Sequence, residues 1–157
     1  MEFTPEEFNE FLGNIDVMAL TMLYSLCMRG SIVPKDVQLT SEMAVAEPII
    51  VGTGRNEMDV HVRVDVYPQG ATKGFHLEDA ANMNGYRLSA DFAVRYRTKD
   101  GRVFSEYNEK ILSQFAGSYS VFHILPFIRQ HFLDITLKMG VQPFILPLFI
   151  IGRPTKQ

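Results

Sequence analysis

Hydrophobic and polar positions change period along this chain, and the changes mark its elements. Phe8, Phe11, Leu12, Ile15, Met18, Met22 and Leu26 recur mostly at three- and four-residue spacing, as one face of a helix does. Thr4, Pro5 and Glu7 supply a cap, a first-turn proline and a capping box, and Phe3 with Phe8 makes a hydrophobic staple. The spacing predicts a helix over 5–29, stopped at Gly30 and bent where Gly13 and Asn14 weaken it. From Asp36 the period falls to two, with Val37, Leu39, Met43 and Val45 opposite Gln38, Thr40 and Glu42. Pro48 and Gly52-Thr53-Gly54 interrupt it. Met58, Val60, Val62, Val64 and Val66 then alternate with Asp59, His61, Arg63 and Asp65, a half-buried strand. Pro68 to Gly85 reads as a mobile polar loop. Tyr86 to Arg97 alternates again, Lys99-Asp100-Gly101 reads as a hairpin turn, and 102–115 is expected to return as a strand of irregular phase. Ser120 opens a helix carrying Ile124, Phe127, Ile128, Phe132, Ile135 and Met139, with Pro126 in its first turns and Gly140 at its end.

These elements predict an α+β fold: a four-stranded antiparallel meander with helices packed on one face. The 157 residues fit a single domain over 1–157. It comprises an N-terminal helix (1–30), a sheet (36–115), a helix (120–140) and an apolar, proline-containing segment (141–151). Hydrophobic residues at 46% and charged residues at 21% support a core that needs no disulfide or metal. A net charge of −3 argues against a dedicated nucleic-acid binder. The single Cys27 excludes a disulfide framework, and no basic segment precedes an apolar run at the N-terminus, so a soluble cytoplasmic protein is expected. The apolar segment after Gly140 is too short to span a bilayer and is broken by Pro143 and Pro147. It must be covered by the fold, another subunit or a ligand.

Candidate chemistry is sparse. His61, His76, His123 and His131 lack the spacing of a zinc site; His123 and His131 fall near one helix face, but no third ligand stands with them. Cys27 lies in an apolar stretch and reads as a small core or interface residue. Gly52-Thr53-Gly54-Arg55 precedes no helix and reads as a plain loop. Asp59, Asp65, Asp91, Glu106 and Glu109 are expected on exposed strand faces, where Arg63, Arg87, Arg95 and Arg97 pair with acids in a cross-strand ladder. The expectation is a binding scaffold with no catalytic residues, no metal and no cofactor.

His123-Ile124-Leu125-Pro126-Phe127-Ile128-Arg129-Gln130, with Leu137-Lys138-Met139-Gly140-Val141-Gln142-Pro143-Phe144-Ile145-Leu146-Pro147, resembles the SecB family of bacterial export chaperones. In that family a helix of this start leads to a glycine and a proline-containing apolar loop. The likeness covers about 36–151. It implies a dimer or dimer of dimers (a tetramer) that holds unfolded or precursor polypeptides in apolar grooves without ATP, in protein transport. Phe144, Ile145, Leu146, Leu148 and Phe149, with Phe127 beneath, are the expected client contacts. Only Gly152 to Gln157 follow Ile151, whereas the family continues into another long helix. The helix over 5–29, which has no counterpart there, is expected to take its place. The ending Arg153-Pro154-Thr155-Lys156-Gln157 lacks the family's acidic tail and argues against docking on the SecA motor. Two alternatives are a non-catalytic oligomeric assembly or adaptor protein of the same fold, and a carrier of a hydrophobic small molecule.

Overall fold

A computed structural model describes residues 2–30, 41–52, 54, 56–68, 86–141 and 143–146. Among them five antiparallel strands form one sheet: β1 (Ile15–Arg29), β2 (Ser41–Val45), β3 (Ile49–Gly52), β4 (Glu57–Pro68) and β5 (Tyr86–Thr98). Their order is β1-β5-β4, and β2 and β3 share the lane beyond β4. The helical elements are α1 (Pro5–Gly13), α2 (Glu109–Phe115) and α3 (Val121–Lys138), with a π turn, Ala116–Ser120, joining the last two. Architecture and class are as the sequence predicts, an antiparallel sheet with helices on one face. The identities of two elements are not.

The capping box forms. Glu7 N donates to Thr4 Oγ1 at 3.2 Å, Thr4 N donates to Glu7 Oε2 at 2.7 Å, and the Phe3 and Phe8 rings meet at 5.7 Å. The helix it starts ends at Gly13, however, and the expected helix over 5–29 is a nine-residue helix followed by a fifteen-residue strand. The reason lies in two bulges. Met18 and Leu23 are extra residues in β1, and each shifts the register against β5 by one. Directly opposed residues share a face, so Val17, Leu20, Met22, Ser25 and Cys27 lie on the side of Tyr96, Val94, Phe92, Ala90 and Leu88. Their spacing is therefore three, two, three, two, which breaks the strand period. The stripe Ile15, Met18, Met22 and Leu26 draws residues from both faces and a bulge, and only imitates a helix. Helical propensity is a weak prior; pairing along nearly all of β5 outweighs it.

The segment 102–115 is the second correction. Gly101, at φ +76°, lets the chain turn after β5, and Asp100 Oδ1 accepts from Arg102 N at 2.9 Å. The turn leads out of the sheet into a 3₁₀ turn, Phe104–Glu106, and then α2, capped by Asn108 Oδ1 accepting from Lys110 N at 3.0 Å. The irregular strand phase is helical: Tyr107, Ile111 and Phe115 are four apart. With no strand here, β1 takes the lane beside β5, and the sheet is not a meander. The helix after Ser120 thus continues from α2. Pro126 stands inside it rather than in a first turn, on its exposed side.

The helix-facing side of β4 and β5 is the driest part of the molecule. Met58, Val60, Val62, Val64, Val66, Leu88, Ala90, Phe92, Val94 and Tyr96 are essentially inaccessible and pack with Ile111, Phe115, Ile124, Ile128 and Phe132. Each such aliphatic or aromatic side chain contributes about 1.5–3 kcal/mol of burial. Phe11 of α1 joins edge-on to Phe115 at 5.3 Å and to Tyr107 at 4.9 Å, closing one end of this core. Val37, Leu39, His76 and the loop from Gln69 to Gly85 lie outside the described residues.

Candidate polypeptide-binding surface

α3 ends in a Schellman turn. Gly140, at φ +65°, sends its N–H to Leu137 O at 3.0 Å, and Val141 N reaches Thr136 O at 3.2 Å. The chain then runs back along the helix. Phe144 N donates to Thr136 Oγ1 at 3.0 Å, while that hydroxyl donates to Phe132 O at 2.8 Å. The Phe144 ring meets Phe132 edge-on at 6.1 Å, and Leu146 is buried with it. Of the expected client contacts, Phe144 and Leu146 are therefore core side chains in this structure. Ile145 points away at 79% exposure, and Phe127 on α3 is 51% exposed. Leu148 and Phe149 lie outside the described residues.

Other apolar side chains stand in water that the sequence pattern did not single out. Tyr119, Phe122 and Leu137 join Phe127 on exposed positions of the π turn and α3. On β1, Val17 and Met22 face the helix side yet remain 49% and 45% exposed, and Met18, Leu23 and Tyr24 are exposed as well. Ile49 and Val51 on β3 are exposed too, on the opposite face with their partners His61 and Asp59. The two edges differ. The β2–β3 lane is broken at Pro48, a residue that cannot donate to a neighbouring strand, whereas β1 is long and holds no proline.

The opposite face of the sheet carries part of the expected charge ladder, but Asp59, expected exposed, and Arg87 are buried there. Arg95 makes a two-pronged contact with Asp59, at 2.8 and 3.0 Å, and Arg97 pairs with Glu57 across the same strands. The Arg95 guanidinium holds the Asp59 carboxyl below the usual carboxylate range against its desolvation. Arg63 pairs with Asp65 along β4 at 3.3 Å. Glu106 and Glu109, expected on strands, sit instead on the 3₁₀ turn and on α2. A trough of about 380 Å³ on this face is lined by Thr21, Leu23, Asp59, His61, Ala93 and Arg95 among others. A second, of about 500 Å³, lies between α1 and the 3₁₀ turn beside Glu7, Glu10, Arg102 and Tyr107.

Histidines appear at the helix–sheet seam. His131 Nε2 shares a 2.7 Å hydrogen bond with Ser25 Oγ of β1, and His123 Nδ1 shares one of 2.9 Å with the hydroxyl of Tyr96. Burial lowers the pKa of both imidazoles, and it raises that of the Tyr96 hydroxyl. Among the described residues no three His, Cys, Asp or Glu side chains are placed to hold a metal ion. Cys27 is exposed on β1. Glu109–Lys138 is the one stretch among the described residues long and apolar enough to cross a membrane, but one of its faces is spent on the sheet.

No family model matches the chain, and no curated protein does. Solved structures do. A Mycobacterium tuberculosis SecB-like chaperone, solved in complex with a ChAD peptide from the HigA1 antitoxin, superposes with a TM-score of 0.72 at 15% identity. The match covers 96% of this chain and 99% of that one. This chain has the fold of the SecB-like chaperones.

Proposed function

We propose that the protein is a polypeptide-holding chaperone that works without ATP and presents apolar surface to unfolded or precursor chains. One observation carries the reading: a whole-chain match to a SecB-like chaperone that was solved with a peptide. The surface supports it. Phe127 and Ile145 are large apolar side chains left in water at positions expected to meet clients, and α3 adds Phe122 and Leu137. The two troughs are lined in part by charged residues, which favours a polypeptide over a small hydrophobic ligand. The protein further acts as a homo-oligomer, a dimer or dimer of dimers, because β1 offers a long, unblunted edge with apolar side chains on both faces.

The test is suppression of aggregation of a chemically unfolded protein in the absence of nucleotide. A photoreactive residue at 127 or 145 should crosslink the client. Labelling confined to a second copy of the chain would replace this reading with the assembly one, and no suppression at stoichiometric ratio would refute it. Light scattering at micromolar concentration checks the oligomer, which a sharp monomer would exclude.

A further inference from the structure

Polar side-chain contacts tie α3 and its C-terminal turn to the sheet. Tyr96 meets His123, Ser25 meets His131, and Arg29 Nη1 donates to Met139 O at 2.9 Å. Two of these contacts depend on an imidazole. We propose that His123 and His131 form an acid-sensitive latch, whose joint protonation loosens α3 from β1 and β5 and uncovers the apolar seam beneath.

Each imidazole has its own reason to resist a proton. The Tyr96 hydroxyl is fully buried, and His123 Nδ1 is its partner at 2.9 Å. A neutral imidazole with its hydrogen on Nε2 accepts the phenol's proton at Nδ1. Once Nδ1 is protonated it becomes a donor, so the buried phenol must turn to accept and its hydrogen loses the acceptor it had. His131 can still donate to Ser25 as a cation, so its bond survives. Its difficulty is solvation: the ring stands edge-on to Phe92 at 6.4 Å and beside Phe132, both in the core.

The charged groups around the pair do not offset this. On α3 itself Asp134 favours the His131 cation and Lys138 opposes it, and desolvation exceeds both. The sheet faces His131 with Ser25 of β1 and Phe92 of β5, neither of them charged. Around His123, β5 presents Tyr96, and Phe115 of α2 stacks edge-on to that tyrosine at 4.8 Å; desolvation alone shifts this imidazole. The cationic Arg29 on β1 holds the far end of the helix at Met139 and gives no counter-charge. Leu20, half-buried on the same side of β1 as Ser25, belongs to the floor that loosening would expose further.

The wild-type protein is enough for the first measurement. Following the imidazole Cε1 protons by NMR should place the midpoints of His123 and His131 below 6.5, the ordinary histidine value. Hydrogen-exchange protection of α3 amides should fall at least tenfold between pH 7.5 and pH 5.0, after correction for the intrinsic exchange rate. The variant H123N/H131N, shown to be folded at pH 7.5 by near-ultraviolet circular dichroism, should keep α3 protection flat over that range. Midpoints at or above 6.5 would overturn the latch, as would α3 protection that holds to pH 5.0. So would an undiminished response in the double variant, which would assign the transition to carboxylates. A double variant that fails to fold leaves the two wild-type measurements decisive. None of these readouts involves a client, so the latch and the chaperone reading stand or fall separately.

Discussion

Replacing Phe115 by alanine tests the end of the core where α1, α2 and β5 meet. Phe115 is 2% exposed and has three ring neighbours: Tyr96 at 4.8 Å, Phe11 at 5.3 Å and Tyr119 at 6.1 Å. Removing a buried phenylalanine costs about 3–5 kcal/mol, the cavity included. Two edge-on partners and one stacked one, each worth about 0.5–1.5 kcal/mol beyond burial, put Phe115 at the upper end of that range. The expected loss is therefore about 4–5 kcal/mol, a large share of the 5–15 kcal/mol typical of a domain's net stability. With a urea m-value of about 2 kcal/mol per molar, the midpoint should fall by about 2 M. Phe115→Leu keeps most of the volume and should lose only about 1–1.5 kcal/mol. It carries the measurement if the alanine variant does not fold. Urea unfolding followed by far-ultraviolet circular dichroism provides both numbers. A loss below about 1.5 kcal/mol for Phe115→Ala, at unchanged m, would mean that this aromatic cluster does not join α1 and α2 to the sheet.

Thr4→Ala removes one half of the capping box and should cost about 1 kcal/mol, read as a lower urea midpoint; no change would show that α1 is held by Phe8 and Phe11 alone. Asp59→Asn breaks the contact with Arg95, whose guanidinium is 46% exposed and hence screened, so about 1 kcal/mol is expected at pH 7. Because the folded carboxyl titrates below its unfolded value, that stability is present above about pH 4 and is lost as pH falls through the folded pKa. The gap between wild type and variant should therefore narrow in acid, and a gap that does not shrink as pH falls below the usual carboxylate range would contradict the assignment. Gly140→Ala forces a left-handed backbone on a side chain and should cost about 1–2 kcal/mol in the same unfolding assay. Stability equal to wild type would mean that the Schellman turn had rearranged.

Where local chemistry and tertiary structure agree, the sequence alone determined the element. Thr4, Pro5 and Glu7 start a helix whatever follows, because the cap satisfies its first free N–H groups within three residues. The alternation in β4 and β5 follows the single apolar face that meets the helices, and Ile124, Ile128 and Phe132 mark the face of α3 that meets the sheet. β1 was not legible. Its bulges at Met18 and Leu23 erase the two-residue period, and only the backbone of β5 shows which register the strand adopts. The segment after Gly101 carried a helical spacing at Tyr107, Ile111 and Phe115, but a turn signal ahead of it suggested a returning strand. The candidate surface divides in the same way. Phe127, Phe144, Ile145 and Leu146 are equally apolar in the sequence. The hydrogen bond from Phe144 N to Thr136 and the fit of its ring on Phe132 draw two of them inward and leave Ile145 in water. Apolar character is a property of a residue; exposure is a property of what packs against it, and that is decided only when the chain folds back on α3.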